Sequence, residues 1–201
     1  VTPHVDLHDP TWTAADASVQ AAVEASLGAP ERFALVYDAH YRSVHRYLAA
    51  RLGADAAEDV AAEVFLTAFR KRGSFDPARG QVRAWLFGIA TNLVGRHRRT
   101  ERRHFMNLRA GETDAETGFE DTVADQVAAQ LLRPQLGQAL ATLARDDRDV
   151  LLLIAVAGLS YAEVAQALSI PSGTVGSRMN RARTKMRRLL EPALAQHTTT
   201  N

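Results

Sequence analysis

The hydrophobic positions of this chain recur at steps of three and four residues and never alternate strictly, so every element the pattern predicts is helical. One stripe joins Phe33, Val36, Tyr37, Tyr41, Val44, Leu48 and Leu52, and Gly53 ends it. A second helix is expected from Asp55, as its cap, through Arg72, with Val60, Val64 and Ala68 on the buried side. Gly73-Ser74-Phe75-Asp76-Pro77 forces a loop. A third helix then runs from near Gln81 to near Arg103, burying Val82, Leu86, Ile89, Ala90 and Leu93. After a stretch without periodicity, Pro134 suits the first turn of a new helix with Leu136, Leu140 and Leu143 as its stripe. The nearly continuous apolar run Val150–Val156 marks a central helix of a small bundle. Residues 1–30 hold Pro3, Pro10 and Pro30 and only a weak helical hint at 14–27, so they read as a mostly loose arm.

Residues 158–190 carry the sharpest pattern. Gly158 suits the left-handed end of the preceding helix. Ser160 and Glu163 have capping-box spacing, and Val164, Ala165 and Leu168 give a short apolar stripe. Pro171 disfavours helix at Ile170, and Ser172 is placed to cap the second helix of the pair. In that second helix Val175, Met179, Ala182, Met186 and Leu189 fall on one side; Thr174, Ser177, Arg178, Arg181, Lys185 and Arg188 fall on the other. Between Thr174 and Leu190 there are six Lys or Arg and no acid, whereas a merely solvated helix mixes its charge signs. A helix-turn-helix with a cationic outer face fits a DNA major groove, with Ser, Thr and Arg near the helix start reaching base edges.

Composition adds boundaries. The 201 residues are 46% hydrophobic, enough for real cores in one or two domains. Net charge is only +1, but the charge is segregated. Residues 96–103 hold five Arg against one Glu, while residues 112–125 hold six acids and no Lys or Arg, so the latter region reads as a flexible acidic connector. No cysteine is present, which excludes disulfides and thiolate metal sites. No apolar run approaches a membrane span, no signal pattern opens the chain, and a soluble cytoplasmic protein is expected.

The third helix brings Trp85, Asn92, Arg96, Arg99 and Arg103 to one face, and the loop before it adds Phe75, Arg79, Gln81 and Arg83. Cations, amides and an aromatic on one surface suit single-stranded or flipped bases; Trp85 taken alone is equally compatible with a core position. Ala84, Gly88 and Gly95 line the other flank, where small residues permit close approach, most commonly of another helix. His97, Glu101 and His104 stand at i, i+4, i+7, a metal-ligand spacing. The five surrounding arginines oppose a dication, so no metal and no cofactor is expected.

Three motifs in order now resemble the extracytoplasmic-function (ECF, group IV) sigma factors of bacterial RNA polymerase, over about residues 31–192. AEDVAAEVFLTAFR at 57–70 is similar to the segment that docks on the polymerase β′ clamp helices. VRAWLFGIATNLVGRHRR at 82–99 is similar to the helix that melts and reads the −10 element, and LSYAEVAQALSIPSGTVGSRMNRARTKMR at 159–187 to the −35-reading helix-turn-helix. The resemblance implies polymerase docking through Asp55, Glu58, Asp59, Glu63, Val64 and Phe65, with the acids steering and Phe65 anchoring. It implies −10 contacts from Arg79, Gln81, Arg83, Trp85, Asn92, Arg96 and Arg99. It implies −35 contacts from Ser172, Thr174, Ser177, Arg178, Arg181 and Lys185. Ala62 stands where the family often has Gln, and Gly176 where Lys or Arg is common, removing one polar contact at each place.

The expected architecture is therefore all-α: a loose arm (1–30), a sigma region 2 domain (31–104), an acidic linker (105–133), a sigma region 4 domain (134–195) and a tail (196–201), with no fused C-terminal sensory domain. The implied partners are core RNA polymerase (β′ clamp helices and β subunit), promoter DNA and, as a further class, an anti-sigma factor; no membrane and no small-molecule substrate is implied. An enzyme finds no phosphate loop, nucleophile elbow or paired-carboxylate setting in the chain. A dimeric helix-turn-helix repressor is the competing reading, but it leaves the surface at 79–103 and the acidic linker without a role.

Overall fold

The computed structural model describes residues 14–109 and 134–198. Among these residues are eight α-helices and no strand: α1 (Ala14–Ala25), α2 (Ala34–Leu52), α3 (Ala54–Lys71), α4 (Val82–Arg109), α5 (Pro134–Ala141), α6 (Arg145–Ala155), α7 (Tyr161–Leu168) and α8 (Ser172–Thr198). Helices α1–α4 make one bundle and α5–α8 a second, and α4 packs along α7 to join them.

In the first bundle the weak hint at 14–27 is a formed helix. Ala22 and Val23 of α1 are buried, and Ser26 just beyond donates its hydroxyl to the Val23 carbonyl. Residues 1–13 lie outside the described residues. Gly53, at φ 88°, both ends α2 and opens α3, its N–H donating to the Ala49 carbonyl at 3.0 Å. The corner needs a positive φ, so glycine takes the cap that the sequence pattern assigns to Asp55. Asp55 sits instead in the first turn, where it complements the helix dipole. Val60, Val64 and Ala68 are core as expected, but Tyr37 of the α2 stripe is exposed. Tyr47, outside that stripe, is fully buried edge-on against Phe87, with its hydroxyl 3.1 Å from Thr91 Oγ1. The stripe predicts one buried side; α2 is buried on two.

Helix α4 extends to Arg109, into the expected linker; residues 110–133, with the whole acidic run at 112–125, lie outside the described residues. In the second bundle Pro134 opens α5, and Val150, Leu152 and Leu153 of α6 are core. Arg148, also buried, donates to the Leu140, Ala141 and Leu143 carbonyls and so satisfies the end of α5. The capping box forms as expected, Glu163 N donating to Ser160 Oγ at 3.2 Å and Ser160 N to Glu163 Oε2 at 2.8 Å. Gly158 takes φ 70°. Val175, Met179, Ala182 and Met186 of α8 are buried, whereas Leu189 is 43% exposed and the neighbouring Leu190 packs against the core instead.

Candidate nucleic-acid interface

The start of α8 is a complete helix-turn-helix. Ser169 ends α7 in the left-handed region at φ 54°, Ile170 N returns to the Ala165 carbonyl at 2.9 Å, and Thr174 N donates to the Pro171 carbonyl. That turn leaves Ser172, Ser177, Arg181 and Lys185 exposed and Thr174 and Arg178 half-buried along one face. Its cations already have protein partners. Arg178 Nη2 donates to Asp146 Oδ2 at 2.6 Å. Arg181 grips Asp147 twice, Nε to Oδ2 at 3.2 Å and Nη2 to Oδ1 at 2.8 Å. Hydrogen bonding to Asp147, and then its charge, holds the Arg181 guanidinium pKa above its ordinary value. Lys185 donates to the Thr142 carbonyl. Sequence reasoning does not single out Asp146 and Asp147. As first-turn acids of α6 they look like ordinary dipole partners, and only the fold brings them beneath α8.

On α4 the exposed row is Asn92, Arg96 and Arg99. Arg96 pairs with Glu63 of α3 across the surface. Trp85 is half-buried and packs on Phe75 at 5.1 Å between ring centroids. Arg79 is exposed at the end of a short 3-10 turn that Asp76 caps by accepting from Ala78 N. Gln81, through its backbone, and Arg83, through its side chain, lie at the joint with the second bundle. Gln81 N donates to Gln166 Oε1 at 3.3 Å; Arg83 donates to the Ala157 carbonyl and stands 3.6 Å from Glu163 Oε1. Both residues are engaged by the helix-turn-helix bundle.

The small flank of α4 explains how the bundles meet. A Cβ on Gly88 would lie 2.9 Å from the Ala167 carbonyl oxygen, so α7 backbone rests directly on that glycine. Arg46 Nε donates to the Val156 carbonyl at 3.1 Å, and Arg51 of α2 pairs with Asp149 of α6. Burial, and then the Asp149 carboxylate, pushes the Tyr47 phenol up to about 12.

Of the residues expected to dock on a partner, Asp55, Glu58 and Asp59 are exposed and Glu63 half-buried. Val64 and Phe65 require correction as surface contacts. Val64 is 0% and Phe65 5% exposed, because both point into the α2–α3 core, where Phe65 meets the Tyr37 ring at 4.8 Å. Apolar surface on this side comes from Tyr37 and Leu66. Leu66 lies two residues from both Val64 and Ala68, on the helix side opposite the buried stripe, so the helical period itself sets this leucine outside the core. His97 Nε2 lies 3.2 Å from Glu101 Oε1, an ordinary helical pair.

Comparison with known proteins covers both bundles. Residues 36–104 match the model of Sigma-70 region 2, and residues 133–186 match Sigma-70, region 4. The chain is 37% identical over 158 residues to the ECF RNA polymerase sigma factor SigL of Mycobacterium tuberculosis, covering 78% of this chain and 87% of that one. It is 30% identical to SigW of Bacillus subtilis, over 81% and 91% of the two chains. It is 32% identical to SigC of Mycobacterium tuberculosis, over 90% and 97%. Among solved structures it resembles CnrH in complex with the cytosolic domain of CnrY (TM-score 0.66, 24% identity, 87% and 98% covered). It also resembles RpoE in complex with the anti-sigma factor NepR from Bartonella quintana (TM-score 0.62, 24% identity, 80% and 98% covered). These last two likenesses speak to the fold.

Proposed function

The chain belongs to the ECF sigma factors of the sigma-70 family, and from that premise we propose that it binds core RNA polymerase, brings it to promoters by reading −35 and −10 elements, and promotes DNA melting there. The observation that carries this reading is the succession, in one chain, of a region 2 match and a region 4 match. Ser172, Thr174, Ser177, Arg178, Arg181 and Lys185 meet the −35 duplex. Trp85, Asn92, Arg96 and Arg99 face the −10 strand together with Arg79, and Gln81 and Arg83 join them once α7 withdraws. Asp55, Glu58, Asp59 and Glu63 steer toward a basic surface of the polymerase, while Tyr37 and Leu66 supply apolar contact and Val64 and Phe65 hold that surface in shape.

The factor does no chemistry of its own and acts in the cytoplasm, where the polymerase and its template are. Its units are residues 31–104 and 134–195, with the connector starting beyond Arg109. A dimeric repressor is disfavoured, since it gives the region 2 half no task. The test is run-off transcription with purified core polymerase on a library of promoters. Core plus this chain is expected to initiate at a defined subset that core alone ignores. DNA binding as a dimer, without polymerase association, overturns the reading.

A further inference from the structure

The two acids under the recognition helix hold their arginines in different ways. An arginine side chain offers two edges for bidentate hydrogen bonding: the side edge, made by Nε and Nη2, and the end edge, made by Nη1 and Nη2. Asp147 takes the side edge of Arg181 with both carboxylate oxygens. Its own side chain is only 12% exposed and is fixed in the first turn of α6, while Arg181 remains 59% exposed. The guanidinium plane is thereby set, and the end edge is left open. That end edge presents two parallel donors, a geometry that pairs with guanine O6 and N7 in a major groove. Arg178, by contrast, makes a single contact through Nη2 to Asp146, whose side chain is 59% exposed. Such a pair fixes no plane and exchanges readily for a phosphate.

We infer that Asp147 is a positioning residue for promoter specificity: it locks Arg181 with its end edge outward to read a guanine of the −35 element, while Asp146 is only a stand-in that a DNA phosphate displaces from Arg178. The inference rests on the −35 assignment of α8. Elementary electrostatics sets up a sharp contrast, because removing any acid near DNA strengthens phosphate attraction on every sequence. Removing a positioning acid adds something else. The freed arginine samples many rotamers, and discrimination at the base it reads declines even as general affinity rises.

The test uses the full chain in complex with core polymerase, competed between promoter duplexes in which each −35 base pair is changed in turn. Arg181→Ala is expected to erase preference at one base pair by about 10-fold or more, the range of one bidentate pair. Asp147→Ala and Asp147→Asn are expected to erase most of the preference at that same base pair while binding scrambled DNA more tightly. The double variant Asp147→Ala/Arg181→Ala should discriminate no worse than Arg181→Ala alone. Asp146→Ala should tighten binding to all sequences and leave every preference intact. Asp147→Asn matches the native size, so the readout survives if Asp147→Ala unfolds the bundle. Unchanged preferences in Asp147→Asn, with Arg181→Ala still selective in its loss, overturn the inference and leave Asp147 a structural acid. If Arg181→Ala weakens all sequences equally, Arg181 is a phosphate contact and the −35 reading at this residue fails instead.

Discussion

Arg51 of α2 and Asp149 of α6 form an ion pair at 2.6 Å between the two bundles, with side chains 1% and 7% exposed. The contact is close but off-axis for a hydrogen bond, and Arg51 Nε and Nη1 find no hydrogen-bond partner among the described residues. Around the pair, Arg98 donates to the Arg51 carbonyl at 2.9 Å and Arg145 Nε stands 3.9 Å from Asp149 Oδ2. Truncating one member leaves an uncompensated buried charge, so Asp149→Ala is expected to cost about 3–5 kcal/mol. The double change Arg51→Met/Asp149→Leu should recover most of that loss. Urea unfolding of the three variants checks both statements, and a cost below about 1 kcal/mol for Asp149→Ala would place the pair in solvent-screened surroundings.

Gly88 tests the joint between bundles without touching charge. Valine there brings side-chain carbon against the Ala167 carbonyl, which is backbone and cannot swing away. Gly88→Val is expected to separate α4 from α7 while each bundle keeps its helicity. Fluorescence transfer between dyes at exposed sites on α3 and α8 should fall, and circular dichroism should not. Unchanged transfer would mean that α7 slides past the new side chain.

Acid should loosen the first bundle through His40. Burial, and then the Arg83 guanidinium, lower its pKa to about 4 from 6.5, with Asp16 opposing. The unfolded chain therefore binds the proton more readily than the folded one between those values. Stability from this group is complete above pH 6.5 and declines as pH falls toward 4, by about 3 kcal/mol in total at about 1.4 kcal/mol per tenfold change in proton binding. His40→Gln should flatten that part of the profile, measured as the urea midpoint between pH 7 and pH 4.

Asp59→Lys and Arg96→Ala should separate docking from melting. Asp59 is exposed, so its reversal is expected to weaken association with core polymerase at low salt and leave the fold intact. Arg96 pairs with Glu63 at the surface, and its loss should cost at most about 1 kcal/mol of stability. Core binding should persist in Arg96→Ala while the −10 region opens more slowly. A permanganate footprint with normal opening would remove Arg96 from that surface.

What could be read from sequence was local. The Ser160–Glu163 box, the Gly158 turn and the Val175–Met179–Ala182–Met186 stripe are all set by residue types at short, regular spacing, which the sequence encodes directly. The flank of Ala84, Gly88 and Gly95 was legible as a site of close approach, but not which helix approaches. Burial of Tyr47, Arg51, Asp147 and Arg148 was not legible, because each is covered by an element distant in the chain. Phe65 shows the same limit from the other side: a helical wheel places it at the rim of the stripe, and the two tyrosines of α2 decide that it is inside.

The α4–α7 contact also bears on how strongly any promoter is used. Under the proposed function the two bundles would meet elements centred about 25 base pairs apart, about 85 Å on straight duplex, whereas here α4 rests on α7 through Gly88 and Ala167. If occupying both elements parts that contact, apparent affinity is the intrinsic affinity scaled by the parted fraction. On that reading, contacts such as Arg83 with Glu163 and Arg51 with Asp149 act as a gain setting. Changes on α8 are then expected to re-rank promoters against one another, and changes at this joint to raise or lower all of them together.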